Sequence, residues 1–269
     1  MRPIYLLFFL FIFQISSGQT ITLKSSTPLI VDQFIGIDSY KNTYFIKDRV
    51  LHKKGEEGDF SYNNLQLGRI ASVDIINPLK LVVFFEDTNT AVLLDNKLSE
   101  IQRISFHELS NFLNAGTATT AENNGLWIFN IDSQQLELYN YKTRSQTTVS
   151  LPFSGKVLSQ ASNFNFCFIL TEKKLRAFNV YGSFLNEIDS NGYERIVQQS
   201  ENVLALKNNS LFYIKDFAQH KTKTGEPPLE IKIPEIEIII QDLQLTKEFL
   251  YIYDGKNLHT YTLTLPKKE

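Results

Sequence analysis

Cysteine is almost missing from this chain. Cys167 is the one cysteine in 269 residues, so no internal disulfide can form and no thiolate metal cage can be assembled. Methionine and tryptophan also occur once each, which leaves no Met-rich adaptable surface and no repeating Trp-Asp signature, since Trp127 is followed by Ile128. An excess of positive charge is absent. The 27 Lys and Arg against 29 Asp and Glu give a net charge of -2 and a pI near 6.1, so there is no basic field for nucleic acid or an anionic membrane. Past the N-terminal segment, no apolar run reaches the roughly 20 residues that a membrane-spanning helix needs.

Catalytic motifs are missing as well. The chain contains no His-x-His or His-Glu-x-x-His, no Asp-x-Asp-x-Asp-Gly calcium loop and no Gly-x-Ser-x-Gly elbow. Gly-rich phosphate loops and kelch repeats are absent too. The four histidines, His52, His107, His220 and His259, stand apart from one another and from acids at ligand spacing. His259 falls in a strand and His220 in a long polar loop. Cys167 sits in the apolar run Phe166-Cys167-Phe168-Ile169-Leu170, the setting of a buried small hydrophobe rather than of a nucleophile. No catalytic, cofactor-binding or metal-ligating residue is expected, and no cofactor.

Phenylalanine and tyrosine, by contrast, are plentiful. The 21 Phe and 12 Tyr lift the aromatic share to 13%, and such residues favour strands. The N-terminus reads as an address: Met1-Arg2, an apolar run from Ile4 to Ile15, then Ser16-Ser17-Gly18. That pattern predicts a signal peptide over 1–18, cut after Gly18, with 19–269 left as a single domain. With no cysteine at the cut, a lipid anchor there is not expected.

A repeated hairpin organises the rest. Leu126-Trp127-Ile128-Phe129-Asn130-Ile131, a polar turn, and Leu136-Glu137-Leu138-Tyr139-Asn140-Tyr141 show the pattern. Six repeats are read, with second strands anchored at Tyr44, Val82, Leu126, Phe166, Val203 and Phe249, at spacings of 38, 44, 40, 37 and 46. A period of about 40–50 with four strands per unit marks β-propeller blades. The runs at these anchors are apolar on both side-chain parities, as expected of strands covered on both faces. Fourth strands are expected at 64–67, 101–106, 146–151, 184–188 and 229–233. The sixth repeat opens at 236–240 and ends one strand short, while residues 20–24 form a spare strand at the start. Lending the spare strand to the last repeat predicts an all-β, six-bladed β-propeller of four-stranded antiparallel blades, closed by the N-terminal strand. A β-sandwich or two small β domains would show more alternation and no regular period.

Function is harder to read. Acids at turns, such as Asp48, Asp87, Asp95, Asp132 and Asp254, fit local hydrogen bonding. Asp32, Asp38, Asp74 and Asp242 lie near first strands, where a glycan-cleaving propeller would carry its acids. Trp127 reads as core rather than as a sugar-stacking platform. The long breaks from Lys53 to Tyr62, His107 to Gly116 and Gln219 to Pro228 are expected to be contact loops.

The leader ending before Gln19, the Asn/Lys/Phe-rich composition and degenerate repeats such as Phe249-Leu250-Tyr251-Ile252-Tyr253-Asp254-Gly255 carry a resemblance. The whole mature chain resembles the divergent secreted β-propellers of Bacteroidota. The resemblance implies a non-catalytic part of envelope machinery, for example the Plug subunit that blocks the periplasmic end of the type 9 secretion translocon. No motif is specific to Plug. The reading is therefore an exported, periplasmic or outer-membrane-associated scaffold without a transmembrane segment in the mature chain. It binds a protein partner in an outer-membrane complex and no nucleic acid. The alternative is a glycan-binding or glycan-acting propeller with its site at the central channel mouth.

Overall fold

Strands that are apolar on both faces must be covered on both faces, and the computed structural model shows what covers them. It describes residues 20–219, 227–233 and 238–264. Among these residues 24 strands form six four-stranded antiparallel sheets, arranged as a six-bladed β-propeller.

Residues β1 (Thr20–Pro28) come first in the chain but belong to the last blade. The first blade is β2 (Gln33–Ile37), β3 (Thr43–Lys47), β4 (Val50–Gly55) and β5 (Gly58–Tyr62). The second is β6 (Ser72–Asp74), β7 (Leu81–Phe85), β8 (Thr90–Leu94) and β9 (Glu100–Ser105), followed by a single 3-10 turn at Phe106–Glu108. The third is β10 (Ala115–Ala121), β11 (Gly125–Asn130), β12 (Gln135–Asn140) and β13 (Ser145–Thr148). The fourth is β14 (Val157–Ser162), β15 (Phe166–Thr171), β16 (Lys174–Asn179) and β17 (Phe184–Asp189). The fifth is β18 (Arg195–Gln199), β19 (Asn202–Lys207), β20 (Ser210–Ile214) and β21 (Leu229–Ile231). The sixth is β22 (Asp242–Leu245), β23 (Phe249–Tyr253), β24 (Asn257–Thr264) and, outermost, β1.

The core lies between the blades, one apolar slab per junction. All five residues of β7 are buried, and they divide by parity. Val82 and Phe84 pack with Ile128 and Tyr139 of the third blade, whereas Leu81, Val83 and Phe85 pack with Tyr44 and Leu51 of the first. In the same way Leu126 and Ile128 face the second blade while Trp127 and Phe129 meet Cys167 and Ile169 of the fourth. Further slabs join the fourth blade to the fifth through Phe168, Val203 and Phe217, and the fifth to the sixth through Leu204, Leu250 and Ile252. The slab between the sixth and first blades is built on Phe34, Tyr251, Tyr253 and Leu258.

Closure follows the expected route. Strand β1 pairs antiparallel with β24, Ile21 opposite Leu263 and Leu23 opposite Tyr261, with a register shift at Lys24. Ile21 and Leu263 both pack on the slab between the fifth and sixth blades.

Two strand positions differ from expectation. The fourth strand of the first blade is β5, inside the stretch read as a loop from Lys53 to Tyr62, and 64–67 is turn and coil. Asp59, Phe60, Ser61 and Tyr62 alternate, as an outer strand with one wet face should. The expectation was tuned to continuous apolar runs and overlooked it. The first strand of the sixth blade is Asp242–Leu245, not 236–240. Of the expected stretch, 236–237 lies outside the described residues, and Ile238 and Ile240 belong to the linker and the slab. Strand β13 also stops at Thr148, so Leu151 lies beyond it and is 85% exposed.

The topology defines two faces. One carries the turns that join first to second and third to fourth strands in each blade, and is called here the first-turn face. The opposite one, the linker face, carries the second-to-third turns and the linkers from blade to blade.

Candidate functional site

First strands surround the axis of a propeller, and here they bring short polar side chains. These groups bond across the blade junctions. The Thr117 hydroxyl donates to Gln160 Oε1 at 2.7 Å, and Gln160 Nε2 donates to the Thr119 hydroxyl at 2.9 Å. Ser159 Oγ accepts from Ile196 N–H, and Gln198 Nε2 donates to the Ser162 carbonyl. Arg195 Nη1 donates to Asp242 Oδ1 at 2.9 Å, and Asp242 Oδ2 accepts from Phe34 N–H at 3.0 Å. Gln244 both accepts from Ile37 N–H and donates to the Ile37 carbonyl. The wall is polar because edge backbone groups of first strands need partners. Those side chains are thereby committed to closing the ring.

The four acids read as candidates do not converge. Asp32 is exposed on the linker face, where it accepts from Asp48 N–H. Asp242 opens β22 at that same end. Asp38 and Asp74 lie at the other end, at the first turns of the first and second blades. Asp38 accepts from two backbone amides, the Asn42 amide and the Tyr44 hydroxyl. Asp74 accepts from Thr120 N–H at 2.6 Å and Ile76 N–H at 2.8 Å. Burial raises the Asp74 carboxyl above the ordinary range, and these hydrogen bonds oppose the shift. Each acid is an internal latch: Asp32 and Asp38 tie residues of their own blade, Asp74 ties its own turn and one junction, and Asp242 ties two junctions.

The remaining candidates have local partners. His259 Nε2 lies 2.9 Å from Asp254 Oδ2, while His52 stacks on Phe45 and His107 on Phe112. His220 lies outside the described residues. Cys167 is fully buried, and burial pushes its thiol well above the ordinary value, away from the nucleophilic thiolate. Trp127 is fully buried and its indole N–H donates to the Asn163 carbonyl at 3.0 Å. Among the described residues, no three His, Cys, Asp or Glu side chains gather as a metal site.

The expected contact loops fare unequally. The stretch from Lys53 to Tyr62 is the β4–β5 hairpin, and Lys53 is only 2% exposed, donating to the Asn96 carbonyl across the junction. Buried lysine stems are tolerated when the ammonium finds an acceptor, so Lys53 cannot serve as a contact residue. The stretch from His107 to Gly116 is a linker that presents Phe112, 53% exposed. Most of the stretch from Gln219 to Pro228 lies outside the described residues.

Exposed apolar side chains make the stronger surface signal. On the first-turn face Tyr40, Ile76, Leu79 and Phe164 sit on first turns of the first, second and fourth blades, and Tyr40 and Leu79 are 64% and 60% exposed. A pocket of about 200 Å³ opens there, at the junction of the second and third blades, with Asn77, Lys80, Glu122, Tyr141 and Phe164 among its lining. On the linker face Ile30, Leu65, Phe112, Leu151 and Ile239 stand out, one in each of five linkers.

No family model matches the chain, and no curated protein matches it by sequence. Solved structures do. A catalytically inactive virginiamycin B lyase from Staphylococcus aureus with quinupristin matches with a TM-score of 0.60 at 10% identity, over 92% of this chain and 100% of that one. A member of the DUF4221 family from Bacteroides vulgatus gives 0.60 at 8% identity, over 92% and 99%. BamB from Moraxella catarrhalis gives 0.51 at 9% identity, over 90% and 100%. The likeness is one of fold. Since that fold serves a lyase in one of these proteins, the propeller itself assigns neither catalysis nor binding. The Bacteroides structure shares the propeller fold with this chain, and none of these three speaks for Plug.

Proposed function

We propose that the chain is an exported, non-catalytic β-propeller that binds a protein partner in the cell envelope. The observation that carries this reading is the set of large apolar side chains exposed on first turns of one face, Phe164 among them lining a pocket. Exposed apolar side chains gathered on one face mark interaction surfaces, and aromatic and aliphatic anchors of this kind supply most of the energy of protein interfaces. The non-catalytic part draws support from the acids, which are divided between the two ends of the channel and bonded internally. The glycan-cleaving alternative needs two carboxyls facing one bond, and the two that share an end, Asp38 and Asp74, each spend their oxygens on their own turn or junction.

In its most specific form the proposal makes the chain an accessory or plug subunit at the periplasmic side of an outer-membrane secretion translocon of type 9. Its support is the sequence resemblance together with the shared propeller fold. Among the described residues, no helix is long and apolar enough to cross a membrane. The test is recovery of the C-terminally tagged full chain from solubilised envelopes of the cells that make it. A stoichiometric outer-membrane protein in the eluate is the expected result. Recovery of the propeller alone, with retention on glycan arrays, would overturn the reading.

A further inference from the structure

The pocket on the first-turn face holds a cation without a counter-ion. Lys80 ends the turn between β6 and β7, and its ammonium donates to the Tyr141 hydroxyl at 3.0 Å. It also lies 5.4 Å from the centre of the Tyr141 ring. The Tyr141 hydroxyl passes its own proton to Asn124 Oδ1 at 3.2 Å. Among the described residues, no carboxylate comes within 4.0 Å of the Lys80 ammonium; the ion pairs lie elsewhere. An ammonium carries three N–H donors, and Lys80 lines the recess together with one acid, Glu122. Asp74, at the end of β6, spends its oxygens on Thr120 and Ile76 N–H.

From this geometry we infer that the recess receives a carboxylate side chain, Asp or Glu, from a protein partner whose flanking residues are apolar. The inference rests on the protein-binding reading and deepens it. Charge selects the guest: a half-buried ammonium bonded only to a neutral hydroxyl gains from an incoming anion, through a charge-assisted hydrogen bond. Size limits it. The recess of about 200 Å³ is smaller than the roughly 300–1,000 Å³ of sites for whole cofactors or drug-sized ligands, so it suits one side chain. The surface beside the recess decides between a protein and an acidic glycan. On the turn that carries Lys80, Ile76 and Leu79 are 37% and 60% exposed, and Phe164 of the lining is 38% exposed. Exposed aliphatic side chains offer sugar hydroxyls no hydrogen bond, whereas they match the apolar neighbours of a peptide carboxylate. Glu122 also lines the pocket, and it weakens the field for an anion. Removing its charge should therefore strengthen binding, which a merely structural Lys80 would not predict.

The experiment is selection of a random heptapeptide display library on the full chain, followed by titration of the enriched peptides. The variants are Lys80→Met, which keeps the apolar stem, and Glu122→Gln. The expected result is enrichment of sequences with Asp or Glu between apolar residues. Their affinity should fall about tenfold or more in Lys80→Met, rise in Glu122→Gln, and decline with salt in the wild type and Glu122→Gln but not in Lys80→Met, while all three proteins melt alike. Enriched peptides that bind Lys80→Met and wild type equally would overturn the recess and leave the general protein-binding reading standing. Lys80-dependent binding of oligogalacturonate with no peptide enriched would overturn the protein occupant. If neither probe binds, the recess is not a ligand site, and the envelope recovery above decides the broader reading by itself.

Discussion

At the scale of single residues, buried carboxylates hold the ring together. Asp242 is 7% exposed and bridges three blades: it accepts from Arg195 of the fifth blade and from Phe34 N–H of the first. Asp242→Ala leaves that backbone donor unpaired in a site where Phe34 is 1% exposed. A buried unsatisfied donor costs about 1–3 kcal/mol. Denaturant unfolding should register a loss of that order, with Asp32→Ala, on an exposed turn, close to wild type. Acid sensitivity is a second residue-level property. Burial alone would raise the Asp254 carboxyl, but hydrogen bonds from His259, Asn257 and Lys256 outweigh it and hold the group well below the usual carboxylate range. A carboxylate depressed in the folded state contributes stability above its unfolded value, and that contribution disappears as pH falls toward the folded value. Between about pH 5 and about pH 2 the wild type should therefore lose more stability than Asp254→Asn. Asp74 works in the opposite sense. Its raised carboxyl takes up a proton more readily when folded, so Asp74→Asn should remove a term that favours the folded state as pH falls. Equal pH slopes for wild type and Asp254→Asn would refute the Asp254 argument.

At the scale of elements, the seam between the sixth and first blades differs from the other junctions. Its apolar slab is the smallest among the described residues, built on Phe34, Tyr251, Tyr253 and Leu258. Polar bonds compensate: the Tyr253 hydroxyl donates to the Val31 carbonyl at 2.9 Å, and Asp242 and Gln244 clasp β2. Gly36 makes the approach possible, because a Cβ there would lie 2.9 Å from the Gln244 side chain and from Ile75 Cδ1. Strand β1 supplies the covalent return, pairing with β24 from Thr20 opposite Thr264 to Pro28 opposite Asn257. On an edge strand, successive N–H groups point alternately into the ladder and into water. One of Ile21→Pro and Thr22→Pro must therefore delete a ladder bond, while its neighbour loses only a solvated donor. The more damaging variant should cost about 1–3 kcal/mol and lower the melting temperature clearly more than the other. If both melt as wild type, β1 does not close the ring in solution.

At the scale of the whole molecule, two faces compete to be the binding surface. The first-turn face carries Ile76, Leu79 and Phe164 on inner turns that contribute to a pocket, with Tyr40 and Tyr181 on other turns, whereas the linker face spreads Ile30, Leu65, Phe112, Leu151 and Ile239 over five linkers. Hot spots favour a central, pocketed cluster over scattered rim contacts. Leu79→Ser with Phe164→Ser should therefore abolish recovery of the envelope partner, and Leu65→Ser with Leu151→Ser should leave it. Leu65, Leu79 and Leu151 are 82%, 60% and 85% exposed, so stability should stay within about 0.5 kcal/mol for each of them; Phe164 is 38% exposed, and melting of its variant is checked beside recovery. The reverse pattern of recovery would move the interface to the linker face.

The number of blades, the order of their strands and the closure were legible in the pattern of residues along the chain. Runs such as Leu81-Val82-Val83-Phe84-Phe85 can be buried only between two covers, and a period near 40 repeats that demand around a ring. A missing last strand and a spare first one then had one economical pairing. Outer strands were less legible, because one wet face makes Asp59-Phe60-Ser61-Tyr62 look like a charged loop. Only the tertiary structure decided where a ligand could sit. Lys80 and Tyr141 are 61 positions apart in the chain, and Phe164 follows from a third blade; no local spacing announces them. They meet because neighbouring blades bring their first turns to one face. The same ring geometry divides Asp38 and Asp74 from Asp242, although all three look alike in the sequence, since a first strand delivers its two ends to opposite mouths of the channel.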